Sequence, residues 1–97
     1  MSDLVSKILL VEDHKTVSES LRILLENNNY DVTTCSDPVF ALKLIPANNF
    51  NLIITDIEMP QLNGVDFIKR VKALNDKKVK ILVLSTHSNN SLIQQLF

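Results

Sequence analysis

Five polar residues stand where they could act together in one chemical site. Each of three apolar runs ends in one or two of them. Glu12 and Asp13 end the first run, Asp56 ends the second, and Ser85 and Thr86 end the third. Carboxylates held close together repel one another, and a hard divalent cation such as Mg²⁺ removes that cost. A carboxylate beside Mg²⁺ can attack phosphorus, and a hydroxyl and backbone N–H groups can bind the phosphoryl oxygens. These residue types therefore indicate phosphoryl chemistry.

The apolar runs that carry these residues are predicted to be β-strands. They are short and do not alternate with polar residues, which is typical of strands buried on both faces of a parallel sheet. Together with one β-rich segment, the predicted strands cover residues 7–11, 30–35, 52–55 and 79–85.

Apolar residues at helical spacing predict a helix after each strand. Asn28 and Asn29 are expected to end the first helix, since Asn tolerates the left-handed conformation of a helix C-terminus. The second helix is expected to begin at Asp37-Pro38 and to end at Pro46, and the third to begin at Asn63-Gly64.

A fourth helix is predicted at the end of the chain. Its cap would be Ser88 or Asn89, and its apolar stripe would contain Leu92, Ile93, Leu96 and Phe97. Strand and helix then alternate four times with short loops, which indicates an α/β fold with a doubly wound parallel sheet.

In such a fold the ligand site lies beyond the carboxyl ends of the strands. If the first and third strands are neighbours, Glu12, Asp13 and Asp56 converge there. Each residue also has a simpler interpretation, because an acid after a strand often caps the next helix and Ser-Thr is common in turns. The combination at the ends of different strands favours the functional interpretation.

Composition limits the class of protein. Ninety-seven residues are expected to form one domain, 1–97, and a net charge of −1 gives no general attraction to nucleic acid or membrane. One cysteine, Cys35, rules out an internal disulfide framework and fits a reducing compartment. No leader or membrane span is recognisable in the sequence, so a cytoplasmic location is expected.

Three segments resemble the CheY-like receiver domain of response regulators in bacterial two-component systems. They are ILLVEDH at 8–14, LIITDIEMPQLNG at 52–64 and KILVLST at 80–86, in the family's order. The resemblance implies a flavodoxin-like (βα)5 fold with strand order 2-1-3-4-5. It also implies a phosphoacceptor that signals, not an enzyme with a separate substrate.

The resemblance assigns a role to each candidate residue. Asp56 would accept the phosphoryl group, Asp13 would bind Mg²⁺ directly, and Glu12 would bind it partly through water. The backbone carbonyl of Glu58 would complete the protein's share of the metal shell. Ser85 would be the switch hydroxyl and the Thr86 backbone N–H would contact phosphate.

The same resemblance implies the partners. A sensor histidine kinase would donate the phosphoryl group, because neither histidine of this chain looks like a donor. A DNA-binding effector domain is expected in the parent protein by family analogy. Glu58 and His87 occupy variable places that adjust the loss of the phosphoryl group, and Pro60 and Gly64 shape the loop after Asp56.

The sequence departs from the family at its end, which falls inside the expected fourth helix. The family's lysine at the end of the fifth strand has no counterpart, so the expectation is a receiver fold that lacks its last strand and helix. The fourth strand would then be an exposed edge, and the first helix would leave part of one sheet face open. Two explanations remain: the rest of the chain is not represented, or a homodimer or swapped assembly completes the fold.

Two further functions are alternatives to phosphotransfer. Without the lysine, the chain could be a receiver-like binding or dimerisation module. Asp56-Ile57-Glu58 also loosely resembles the D-x-D start of phosphatases of the haloacid dehalogenase type. That family places its nucleophile after the first strand, whereas Asp56 follows the third predicted strand, so this alternative ranks last.

Overall fold

The computed structural model describes residues 6–57, 59, 61–74, 79–85 and 93–96, with Ser85 and 93–96 described by their backbone alone. The chain runs through β1 (Lys7–Val11), α1 (Lys15–Asn27), β2 (Asp31–Cys35), α2 (Pro38–Ala47), β3 (Leu52–Asp56), α3 (Gly64–Ala73), β4 (Lys80–Ser85) and β5 (Ile93–Leu96). The α/β fold and its order of elements confirm the predicted architecture as far as β4.

One five-stranded sheet has the order β2-β1-β3-β4-β5. Strands β1 to β4 are all parallel, with Val11 opposite Cys35 on one side and opposite Thr55 on the other. Strand β1 is therefore an interior strand between β2 and β3, and its pairing with β3 is what the convergence of the acids requires. Right-handed crossovers through the helices produce this arrangement in parallel sheets.

The predicted helix boundaries agree with the structure to within about one residue. The Asp37 carboxylate accepts a hydrogen bond of 2.9 Å from the Val39 N–H, and the Asn63 side chain accepts one of 2.7 Å from the Val65 N–H. Asn29, just past α1, has a φ of 70°, the left-handed conformation that ends the helix. Pro46 lies inside the last turn of α2, which ends one residue later than predicted.

The prediction of a fourth helix at the chain's end is wrong for residues 93–96. They form β5, which pairs antiparallel with β4 in a register that places Leu82 opposite Leu96 and Ser85 opposite Ile93. Ser88, Asn89, Leu92 and Phe97 lie outside the described residues. The outer edge of β4 carries backbone groups that need partners, and this demand outweighs a helical side-chain pattern. The prediction that β4 is an exposed edge is wrong for the same reason.

Alternate residues of the strands face opposite sides of the sheet, and both sides are apolar. Leu9 and Ile53 pack with Phe67 and Val71 of α3 on one side, and Ile8 and neighbouring residues pack beneath α1 on the other. Helix α1 has no fully buried residue, whereas α2 and α3 have several. The two sides are therefore unequally covered.

A groove lies on the α1 side of the sheet, the side that one helix was expected to leave partly open. It has a volume of about 530 Å³ and is lined mainly by apolar side chains, among them Ile8, Leu25, Leu52, Ile54 and Leu82. Within the described part of the chain, none of the helices is long and apolar enough to cross a membrane.

Candidate functional site

The carboxyl ends of β1 and β3 bring three acids to one edge of the sheet. Asp56 is the last residue of β3, while Glu12 and Asp13 follow β1 directly. Because Val11 is opposite Thr55, the residues that come next on both strands emerge side by side. The prediction that Glu12, Asp13 and Asp56 converge is confirmed by this geometry, and their chemical roles stay predictions.

Two of these carboxylates are buried. Asp56 is 1% exposed and Glu12 is 3% exposed, whereas the Asp13 side chain is 24% exposed. Removing a carboxylate from water disfavours its charged form. Burial accordingly raises the pKa of Glu12 above its usual value, hydrogen bonds from His14 partly offset the rise, and the charge of Asp56 adds to it. The site is electrostatically costly without a cation.

One oxygen of the site receives no hydrogen bond from the residues that the structure describes. This atom is Asp13 Oδ1, which is buried, with His14 Nδ1 3.3 Å away. A buried, unsatisfied carboxylate oxygen is destabilising unless a cation or a water molecule meets it. The donor set of Glu12, Asp13 and Asp56 offers the oxygen ligands that Mg²⁺ prefers, so the residues present fit this ion.

His14 joins the acids at this edge, a role that the sequence analysis did not give it. Its backbone N–H donates to Glu12 Oε2 at 2.9 Å, and its ring Nδ1 lies 3.0 Å from the same oxygen. The bond to Glu12 raises the pKa of His14, burial opposes the rise, and nearby carboxylates reinforce it. The available signal was its position directly after Glu12-Asp13.

The four side chains together form a compact set of candidate ligands. One ligand atom from each of Glu12, Asp13, His14 and Asp56 can be chosen so that all lie within 4.8 Å of one another. A polar groove of about 390 Å³ adjoins the set between α1 and the carboxyl end of β2. Its lining includes Lys15, Ser18, Thr34 and Ser36 besides the acid pair.

The remaining predicted site residues are only partly described. The backbone of Ser85 ends β4 directly after Leu84, the register partner of Asp56, so Ser85 lies at the same sheet edge. The structure describes only the backbone of Ser85, so the role of its hydroxyl stays a prediction. Glu58 and Thr86 lie outside the described residues, as do Pro60 and His87.

Gly64 shapes the loop after β3, as predicted. Its N–H donates to the Ile57 carbonyl at 2.9 Å. A Cβ at this position would lie only 2.6 Å from the Ile57 Cα and carbonyl oxygen. The close approach of these two backbone segments requires glycine, and it fixes where the chain goes after Asp56.

Comparison with known proteins is consistent with this geometry. The model of the response regulator receiver domain family matches residues 8–97. The response regulator MprA of Mycobacterium sp. (strain KMS) is 36% identical over 85 residues, which cover 88% of this chain and 36% of that protein. The chain therefore spans about a third of the length of this relative.

Two solved structures have a similar fold. The response regulator TrrA of Thermotoga maritima, in complex with Mg²⁺-BeF, has a TM-score of 0.80 at 31% identity, covering 87% of this chain and 72% of that one. A complex of the histidine kinase ThkA with TrrA has a TM-score of 0.79 at 30% identity, covering 89% of this chain and 73% of that one.

Proposed function

The chain belongs to the response regulator receiver domain family, and we propose that it accepts a phosphoryl group on Asp56 from a sensor histidine kinase. The observation that carries this proposal is the convergence of two buried carboxylates and one unsatisfied carboxylate oxygen at the carboxyl ends of β1 and β3. Two structures of the similar protein TrrA support it: in one TrrA is in complex with Mg²⁺-BeF, and in the other it is in complex with the histidine kinase ThkA.

In the proposed reaction, a carboxylate oxygen of Asp56 attacks the phosphorus of a phosphohistidine. The new O–P bond forms as the N–P bond breaks, and the donor imidazole keeps the electron pair and takes up a proton from water. Burial of Asp56 at the strand end holds the attacking oxygen in place and restricts the approach of water.

We assign the cation to the three acids. Asp13 would bind Mg²⁺ directly, Glu12 partly through water, and Asp56 together with the Glu58 backbone carbonyl would complete the protein's ligands. When bound, Mg²⁺ would supply positive charge to the transferring phosphoryl oxygens. Ser85 would turn its hydroxyl toward the phosphoryl group, and the Thr86 backbone N–H would contact it.

Output would come from the surfaces that the phosphoryl group changes. It adds about two negative charges at Asp56, which biases a two-state surface near β4. Since the chain spans 36% of the length of MprA, we propose that 1–97 is the receiver part of a longer cytoplasmic regulator. Its effector would be a DNA-binding domain.

The test is labelling of the purified chain with a small acyl phosphate and Mg²⁺, followed by intact mass measurement. We expect one phosphoryl group per chain, lost on treatment with hydroxylamine and absent without Mg²⁺. Asp56→Asn should not be labelled, while Asp66→Asn, on the exposed face of α3, should be labelled like the parent. Equal labelling of Asp56→Asn and the parent would contradict the assignment.

One observation favours a second candidate function, a receiver-like module that binds partners without phosphotransfer. Strand β5 is antiparallel, so its carboxyl end, at Leu96 opposite Leu82, points to the sheet edge away from the acids. Strand β5, with the sequence IQQL, therefore brings no lysine to the acids. Stability unchanged by Mg²⁺ or beryllofluoride, with no labelling, would select this function.

A further inference from the structure

We propose that His14 supplies a nitrogen ligand to the cation at the acidic site, so that the site favours divalent transition metals such as Ni²⁺ and Zn²⁺ more strongly than carboxylates alone would. This inference rests on the proposed function, because it concerns the same cation. It adds a ligand, His14, to which the resemblance to receiver domains gives no role. It also names the class of ion that this ligand favours, the divalent transition metals.

The spacing of the donor atoms carries the proposal. His14 Nδ1 lies 3.0 Å from Glu12 Oε2 and 3.3 Å from Asp13 Oδ1. An octahedral ion with bonds of about 2.1 Å holds adjacent ligands about 3.0 Å apart and opposite ligands about 4.2 Å apart. The ring nitrogen and the two acids thus have nearly the separations of neighbouring ligands on one ion, and the ion would replace the proton that Nδ1 shares with Glu12.

Asp56 completes the set with little rearrangement. Its ligand atom lies within 4.8 Å of those of the other three residues, close to the span of an octahedral shell. The buried Asp13 Oδ1 also fits a cation, because it receives no hydrogen bond from the described residues and its 3.3 Å approach to His14 Nδ1 is an ion pair only when the ring is protonated.

The backbone explains why the imidazole turns toward the acids. His14 is the N-cap residue of α1, with φ −84° and ψ 112°, but its side chain makes no capping hydrogen bond. Its N–H instead donates to Glu12 Oε2, which fixes the turn between β1 and α1. The side chain is 51% exposed, so an incoming hydrated ion can reach the ring from solvent.

A nitrogen ligand changes which ions the site prefers. Mg²⁺ prefers oxygen ligands and gains little from imidazole, whereas Ni²⁺ and Zn²⁺ bind imidazole well. Carboxylates alone already favour these ions to some degree by the Irving–Williams order. The contribution of His14 is therefore measured by how much of the preference for Ni²⁺ over Mg²⁺ is lost when its imidazole is removed by substitution.

The experiment is calorimetric titration of the purified chain with Mg²⁺ and with Ni²⁺, separately and at one fixed pH. We compare the parent with His14→Phe, His14→Gln and, as a control at an exposed residue of α3, Asp66→Asn. We expect the ratio of Ni²⁺ to Mg²⁺ affinity to fall about tenfold or more in both His14 variants and to stay unchanged in Asp66→Asn. The Mg²⁺ affinity of the His14 variants should change by less than about threefold.

A spectroscopic measurement distinguishes ligation from indirect effects. With ¹⁵N-labelled histidine and Zn²⁺, we expect the resonance of one His14 ring nitrogen to shift on binding, with no such shift for Mg²⁺. An unchanged affinity ratio in the His14 variants, or a shift at His87 instead, would overturn the proposal. In that case, Mg²⁺-dependent labelling of Asp56 would still support the proposed function. If the parent chain bound neither ion and was not labelled, both the His14 proposal and the proposed function would be overturned.

Discussion

At the scale of single residues, the site combines groups that are unfavourable in isolation. Glu12 and Asp56 are buried carboxylates, and Asp13 Oδ1 has no hydrogen-bond donor within the described part of the chain. Native proteins retain such costs mainly where function needs them. His14 donates a backbone hydrogen bond to Glu12, and this partner could not be predicted from the sequence pattern.

Cys35, the last residue of β2, gives a prediction of pH dependence that does not involve the acidic side chains of the site. Burial raises the pKa of its thiol, whose Sγ donates to the Asp37 carbonyl at 3.1 Å. A group with a raised folded-state pKa contributes stability that is fully present below its unfolded pKa and is lost as pH rises through the folded pKa.

The stability of the parent should therefore fall relative to Cys35→Ala as pH rises above the ordinary thiol range of about 8.5. The loss cannot exceed about 1.4 kcal/mol for each pH unit between the two pKa values. Urea unfolding of both proteins from pH 7 to pH 10 measures the difference. A gap that stays constant over this range would show that the thiol is not protected by burial.

At the scale of elements, caps and close approaches set where each helix starts relative to the site. Asn63 caps α3, and Gly64 then passes against Ile57 one residue beyond Asp56. The start of α3 and the end of β3 are thereby held together through backbone contacts. Loop geometry at the site thus depends on residues that do no chemistry themselves.

Gly64→Ala should destabilise the chain by about 1–3 kcal/mol, because the added Cβ would meet the backbone of Ile57 at 2.6 Å. It should also slow labelling of Asp56 by displacing the loop. Val65→Ala is the control, since this neighbouring side chain is exposed and its loss should cost less than about 0.5 kcal/mol. Thermal or urea unfolding, with labelling rates on the folded fractions, measures both effects; equal behaviour of the two variants would refute the close-approach argument.

At the scale of the whole molecule, the sheet separates two sides of unequal packing. On the side of α2 and α3, Ile45 and Phe67 are fully enclosed. On the side of α1, Leu25 is only partly buried and lines the 530 Å³ groove. The side chains of α2 and α3 are therefore more completely buried against the sheet than those of α1.

Two truncations of isomeric side chains test this asymmetry. Ile45→Ala should cost about 2–5 kcal/mol, because it removes buried methylene groups and leaves a cavity. Leu25→Ala should cost less than about 2 kcal/mol, since part of its surface already faces the open groove. Urea unfolding of both variants gives the comparison, and equal losses would mean that both sides are packed alike.

Much of the fold could be predicted from the sequence because its signals are local. The runs at 7–11 and 52–55 predicted buried strands, and Asp37-Pro38 and Asn63-Gly64 predicted helix starts that the structure confirms. Pairings between distant segments could not be predicted in the same way. The pattern at 93–96 reads as helical, yet the unpaired edge of β4 draws it into a strand.

The sequence by itself determined which acids close which strands and therefore what kind of chemistry this edge can support. Only the tertiary structure decided that Val11 lies opposite Thr55, which sets Asp56 beside Glu12 and Asp13. It also decided that the His14 ring turns to the acids, leaving α1 uncapped by its side chain. The physical reason is the sequence separation of the interacting residues. Side-chain patterns reflect interactions within one helical turn or one strand, whereas strand order and the clustering of charges depend on contacts between segments far apart in the chain.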